Sequence, residues 1–424
     1  MIGFSLVTLG SLAGCGDDSM PAGTDMAGAD LSISSTDLSV SKDLSVSPGD
    51  LSVPPDLTAP PPDLRPTADL ALTNMNLFAP AVSYPTGTGP YYVVVADTRR
   101  ANKQDIIVAN FNGKSVSVLL GNGDGTFQAA TSKTVSASPA SLAVADFTGD
   151  GVPDIVAGIN ATSIALLVGQ GDGSFHDAVE YPSNLPTSLY VAGGKIKGGA
   201  NVDLVVADLT GKSVSVLEGN GTSTSTFSSN SHVFDCGQTP LGIVLQDFDR
   251  DGKLDVATAN SGDNNVGVLI NNSAAGSVSL KIVQTYAVGK VPYGLAAGDL
   301  NNDGFADLVT SNDGDQTVSV LVGKGDGTFT LPAVDYPAGK LPVAVTIADL
   351  NKDNIPDVVV ANSGTTTVSV LPGLGGGVLA APLAFQVGSS PRHLTTGLLN
   401  GDTKPDLVVG NSGSGDVSVL LNIF

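Results

Sequence analysis

A carboxylate-rich loop recurs seven times at near-constant spacing, each copy lies between short apolar runs, and nothing between the copies reads as a helix. Together these observations predict an all-β fold: a seven-bladed β-propeller of four-stranded antiparallel blades, closed by an N-terminal outer strand and preceded by a disordered tether. The aspartate that ends each loop falls at Asp105, Asp154, Asp203, Asp255, Asp307, Asp357 and Asp406, so the repeat is 49–52 residues long.

The order of elements is the same in each unit. A strand such as Leu142–Ala145 leads into the acidic loop, and an apolar strand such as Leu204–Ala207 follows it. An Asn-Ser-Gly turn comes next, as at Asn362–Gly364. Then comes a segment such as Val368-Ser369-Val370-Leu371, whose period-2 alternation predicts a half-buried strand. The turn Gly323–Phe329 precedes a fourth strand ending near Tyr336-Pro337. The last unit stops at Phe424 without a fourth strand, while Phe78–Pro85 matches Phe329–Pro337 and precedes the first full unit. This segment is expected to supply the outer strand of the last blade, protecting two sheet edges.

Composition agrees with short strands and tight turns. Of 424 residues, 14% are charged and 42% hydrophobic, with 52 Gly and 25 Pro. The net charge of −22 argues against nucleic acid as a partner, because phosphate binding needs clustered Lys and Arg. Two cysteines, Cys15 and Cys236, stand in unrelated contexts, so an internal disulfide is not expected and Cys236 reads as a small buried hydrophobe.

Residues 1–14 form a short apolar run ending in small residues, which reads as a signal peptide. Leu12-Ala13-Gly14-Cys15 resembles the lipobox of bacterial lipoproteins, although no Lys or Arg precedes the run. The resemblance implies lipidation of Cys15 and anchoring in a bacterial cell envelope, and Gly16 after the cysteine suits the outer membrane or cell surface. Residues 15–77 read as a disordered tether in which Asp-Leu recurs from Asp30 to Asp69 amid Ser and Pro.

Three loops are the most regular: Asp247–Asp255, Asp299–Asp307 and Asp349–Asp357. They place side-chain oxygens at positions 1, 3, 5 and 9: Asp247, Asp249, Asp251 and Asp255; Asp299, Asn301, Asp303 and Asp307; Asp349, Asn351, Asp353 and Asp357. Calcium takes six to eight oxygens at about 2.3–2.6 Å. Gly252, Gly304 and Asn354 suit a left-handed sixth position. These loops, with the Gly-Asp-Gly-Thr-Phe turns and the seven-unit count, resemble FG-GAP/VCBS-like repeats, relatives of the integrin α-chain propeller, over residues 78–424.

The resemblance implies calcium at about three to four sites. The carbonyls of Lys253, Phe305 and Ile355 would take position 7. A fourth, less complete loop holds Asp146, Thr148, Asp150, Val152 and Asp154. Loops one, three and seven, with Arg99 and Ala101, a Gly/Lys run, and Leu398 at ligand positions, are expected to lack metal.

Gly121–Gly125 superficially resembles a phosphate loop, but no helix follows it. The three histidines lie at unlike places in their units, and no triad or zinc spacing emerges. A proline stands seven residues before the first loop position in six units. The residues around it vary and include Tyr91, Tyr92, Lys290, Tyr293, Lys340, Arg392 and His393. They are expected to gather around the central funnel, on the face opposite the acidic loops, where they would suit an acidic glycan, a carboxylate or a peptide.

The resulting expectation is a calcium-stabilised, membrane-anchored extracytoplasmic binding or adhesion module, monomeric, without catalysis, recognising a glycan or an envelope or extracellular protein. Two alternatives stay open: a propeller-based carbohydrate-active lyase or hydrolase, for which His393 with Arg392 is the candidate, and a ligand-free structural protein of the envelope.

Overall fold

The computed structural model describes residues 77–424 apart from 224, 225 and 275, as seven four-stranded antiparallel sheets and a two-stranded ribbon, Gly373–Gly375 with Val378–Leu379. The expected signal peptide, Cys15 and nearly all of the tether lie outside the described residues. The innermost strands are Pro90–Ala96, Pro139–Ala145, Ser188–Gly194, Pro240–Gln246, Pro292–Gly298, Pro342–Ala348 and Pro391–Gly397. Each touches the innermost strands of both neighbouring blades, and Pro391–Gly397 meets Pro90–Ala96, so the ring closes.

The six prolines each begin an innermost strand, where no ladder donor is lost. The second strand of every blade starts at a closing aspartate: Asp105–Asn110, Asp154–Ile159, Asp203–Asp208, Asp255–Asn260, Asp307–Asn312, Asp357–Asn362 and Asp406–Asn411. Val82–Pro85 pairs antiparallel with Asp416–Leu420, in register Val82 to Val419, and is the outer strand of the last blade. The predicted closure therefore stands. Phe78 bridges Asn422 just as Phe329 bridges Gly323.

The alternation in Val368–Leu371 does not mark a half-buried strand. Thr367 is half-buried and Val368–Leu371 are all buried, and every second strand is buried throughout. The reason is that both faces of a blade are covered. One apolar cluster fills each blade–blade interface. Val359 and Val368 pack toward blade seven, while Val358 and Leu371 pack toward blade five.

In blades one, five, six and seven the serine at the alternate position is buried with a partner, whereas Ser215 of blade three is buried without one. Asn362 donates from Nδ2 to Ser369 Oγ at 2.9 Å, and Asn110–Ser117, Asn312–Ser319 and Asn411–Ser418 repeat the pair. Such pairing removes the cost of leaving a polar group dry. Cys236 is buried and free, and burial pushes its thiol up to about 12.

Candidate functional site

Two places concentrate functional side chains, at opposite ends of the innermost strands. The first is the ring of acidic loops. In blade four, Asp247 accepts the amides of Asp251 at 3.2 Å and Gly252 at 2.9 Å, which wraps the loop around its own carboxylate. Asp249 accepts the amide of Asp251, and Asp251 accepts that of Lys253. Phe305, Ile355 and Val152, the other position-7 residues, likewise donate their amides to Asp303, Asp353 and Asp150.

The sixth positions are left-handed as expected: φ is 86° at Gly252, 84° at Gly304 and 68° at Asn354. The fourth positions are left-handed too, at Arg250, Asn302 and Lys352.

The closing aspartate does the same work in all seven blades. One oxygen accepts an amide early in its own loop, and the other accepts an amide at or just past the end of the third strand. Asp307, for example, takes Leu300 at 2.8 Å and Gly323 at 2.7 Å. Asp105, Asp154, Asp203, Asp255, Asp357 and Asp406 repeat the pattern. A Cβ at Gly121, Gly169 or Gly323 would collide with the carbonyl just before the closing aspartate, so the first glycine of these turns serves packing. In blade four Asn271 replaces it and turns the collision into a hydrogen bond to Leu254 O.

These loops differ in charge balance. Burial, reinforced by neighbouring loop carboxylates, pushes Asp255 up to about 6 and Asp357 up to about 7, and burial also raises Asp154 and Asp307. The residues present fit a hard cation. Asp247, Asp249 and Asp255 bring ligand oxygens within 4.8 Å of one another. Asp349 Oδ1 and Thr148 Oγ1, at ligand positions 1 and 3, are buried without a hydrogen-bond partner. In blade one the third position is Arg99, whose guanidinium reaches Asp105 Oδ1 at 2.5 Å, Asp105 Oδ2 at 3.3 Å and Gly121 O at 2.7 Å. A built-in cation thus stands where the loops of blades two, four, five and six would hold a metal. Lys253 caps Asp251 at 2.9 Å in blade four, and amides of Asn301 and Asn351 reach Asp303 and Asp353 at 2.9 Å.

The second place is a central pocket of about 50 Å³ at the starting ends of the innermost strands. Tyr293 Oη is hydrogen-bonded to Tyr91 Oη and, at 2.8 Å, to Tyr190 Oη, joining blades five, one and three. Arg392 lies over the Tyr91 ring, 5.3 Å from its centroid. His393 stacks on Tyr92 at 3.5 Å between centroids. Burial pushes the Tyr92 phenol up to about 12 and the His393 imidazole down to about 3, so His393 is neutral at physiological pH. Lys290 and Lys340 are not brought to the pocket. Both are exposed, and Lys290 faces Asp315 at 3.5 Å.

The FG-GAP-like repeat profile matches residues 102–157, 247–310, 299–360 and 349–409, together more than half of the chain. The chain belongs to the FG-GAP-like repeat family. The matched segments include the four loops with the most ligand oxygens, those of blades two, four, five and six. No curated protein matches the chain.

Solved structures similar to this FG-GAP-like propeller include BBS1N in complex with ARL6DN (TM-score 0.58, 13% identity, covering 82% of this chain and 97% of that one). Virginiamycin B lyase from Staphylococcus aureus gives a TM-score of 0.55 at 13% identity, over 82% of this chain and 100% of that one. The WD40 propeller domain of Doa1 gives 0.54 at 13% identity, over 82% and 98%. At this identity the likeness shows the fold alone.

Of the residues anticipated for a ligand face of the FG-GAP-like propeller, Tyr92, Tyr293, Arg392 and His393 converge on the pocket. Tyr190 also lines it and was not anticipated, because blade three lacks the proline that marked the other six units. Its place two residues into Ser188–Gly194 was the available signal.

Proposed function

We propose that this FG-GAP-like propeller is a calcium-stabilised, membrane-anchored extracytoplasmic binding module that recognises a glycan or a protein through the centre of the face opposite its acidic loops. The observation that carries this reading is the convergence of Tyr91, Tyr92, Tyr190 and Tyr293 with Arg392, from four different blades, on one pocket. Tyrosines offer broad apolar faces with a polar tip, the composition that binding surfaces favour.

Calcium would sit in the loops of blades four, five and six, and in that of blade two, and would neutralise their crowded carboxylates. Its part is structural, since these loops tie strands together at the far end of the blades. The lipobox-like Leu12–Cys15 supports an envelope anchor. A neutral His393 with no carboxylate partner among the described residues favours binding over acid–base chemistry.

The test is a screen of the purified protein against glycans and envelope proteins with and without calcium, scored against a variant carrying Tyr293→Ala and Arg392→Ala. Binding that is lost in the variant is the expected result. Unchanged affinity in the variant, or turnover of a bound glycan, would overturn the reading.

A further inference from the structure

Arg392 is the one basic residue lining the central pocket, and it is unpaired. Among the described residues it makes no hydrogen bond, no carboxylate lies within 4.0 Å of it, and its Nε is buried without a partner. Its contacts are the face of Tyr91 and a longer-range attraction to the half-buried Asp313. A guanidinium carries five N–H donors and no acceptor.

The tyrosines leave a donor over as well. Three hydroxyls, those of Tyr91, Tyr190 and Tyr293, share two hydrogen bonds, so one hydroxyl proton has no acceptor within the trio. The spare groups around the pocket thus include a guanidinium fork and a hydroxyl proton, both donors that call for an acceptor, and His393 Nδ1, which is buried without a partner.

We propose that the pocket receives the carboxylate end of a ligand, held by the Arg392 fork and the tyrosine hydroxyl left over from the Tyr91–Tyr293–Tyr190 chain. The proposal rests on the reading of this face as the binding face and names the group it recognises. A planar carboxylate matches the fork of two parallel N–H donors. A cavity of about 50 Å³ admits a group of a few atoms, not a whole sugar ring or side chain. The net charge of −22 repels a polyanion, so the ligand carries one carboxylate at its tip and is otherwise neutral or basic. The stacked rings of Tyr92 and the neutral His393 form a flat wall beside it.

The chain has eight tyrosines, four of which line the pocket, so ring-¹³C-labelled tyrosine reports on it directly. Sodium acetate and sodium D-glucuronate are titrated at constant ionic strength, with methyl acetate and D-glucose as neutral counterparts. Saturable shifts of the Tyr91, Tyr190 and Tyr293 resonances by both acids are expected. Arg392→Met should weaken the acids at least tenfold, and Arg392→Lys, which keeps the charge and loses the fork, should weaken them less.

A neutral probe that shifts these resonances as well as its acid does would overturn the carboxylate assignment and leave the binding face standing. Acid shifts unchanged in Arg392→Met would overturn it too. Absence of a saturable shift with every probe would overturn both. If Arg392→Met does not fold, Tyr293→Phe, which removes the shared hydroxyl, is expected to weaken acetate binding, and an unchanged affinity refutes the proposal.

Discussion

Removing the guanidinium from blade one tests whether each acidic loop is built around a cation. Asp105 is fully buried and accepts two amides, the Thr98 hydroxyl and the Arg99 fork. Arg99→Met keeps most of the aliphatic stem and takes away the charge. Breaking a buried ion pair from one side costs about 3–5 kcal/mol. Arg99 keeps 17% side-chain exposure and Asp105 keeps its amide donors, so about 3 kcal/mol is expected. Urea unfolding of the variant against the parent reads this as a lower midpoint at constant slope.

The complementary variant, Arg99→Asp with Ala101→Asp, rebuilds oxygens at positions 1, 3, 5 and 9. The backbone is already suited to it: Arg100 and Asn102 have φ of 55° and 56°, and Asp97 accepts the amides of Ala101 and Asn102 as Asp247 does those of Asp251 and Gly252. Without calcium it should be at least as unstable as Arg99→Met. Calcium at one hundred times the dissociation constant should return about 2.7 kcal/mol. A midpoint within about 0.5 kcal/mol of the parent for Arg99→Met, the ordinary range for a surface change, would refute the need for a cation. A calcium response in the rebuilt loop no larger than the parent's would refute the equivalence of the loops.

Three further outcomes are expected. In chelator, Asp255 and Asp357, held at about 6 and about 7 against about 4 in an unfolded chain, bind protons more tightly when folded. Their contribution is therefore full below about pH 4 and lost as the pH rises through 6 and 7, so the calcium-free melting temperature should fall from pH 5 to pH 8, and calcium should reverse the fall; a flat or rising trend in chelator contradicts this. Asn362→Ala, which strips the partner from buried Ser369 and from the Gly339 amide, should cost about 2 kcal/mol by urea unfolding, and a loss under 0.5 kcal/mol would show that the buried pair is not holding the turn. Replacing Val82 and Tyr84 by proline should expose the edge of Asp416–Leu420 and produce concentration-dependent association by light scattering, whereas a monomer of unchanged melting temperature would show the outer strand to be dispensable.

The ring was legible because its signals repeat. Seven closing aspartates fixed the period, six prolines marked where innermost strands begin, and the match of Phe78–Pro85 to Phe329–Pro337 located the closing strand. What was not legible depends on neighbours that no single unit contains. The alternation in Val368–Leu371 could not reveal that the second face is also covered, since the covering residues belong to another blade. Arg99 read as a broken calcium ligand because spacing carries the position of a side chain and not the charge that the position needs. Tyr190 joins the pocket from the one blade whose innermost strand has no proline, and Lys290 and Lys340 missed it because they fall before the strand, in turns that point to solvent.

The pairing of Val82–Pro85 with Asp416–Leu420 also sets a schedule for folding. During synthesis the outer strand is made first and its partner nearly last, so this contact has among the longest loops to close of any in the fold. Successive blades can form on one another as they emerge, each burying an interface cluster with its predecessor, while the last blade waits for its third strand. A chain lacking its final few residues would hold six formed blades with two open ends, one at each side of the same gap. Completion of the ring is then an event at the end of synthesis, and the apolar surface of the first blade, Val93, Ile106 and Val108, stays uncovered until it happens.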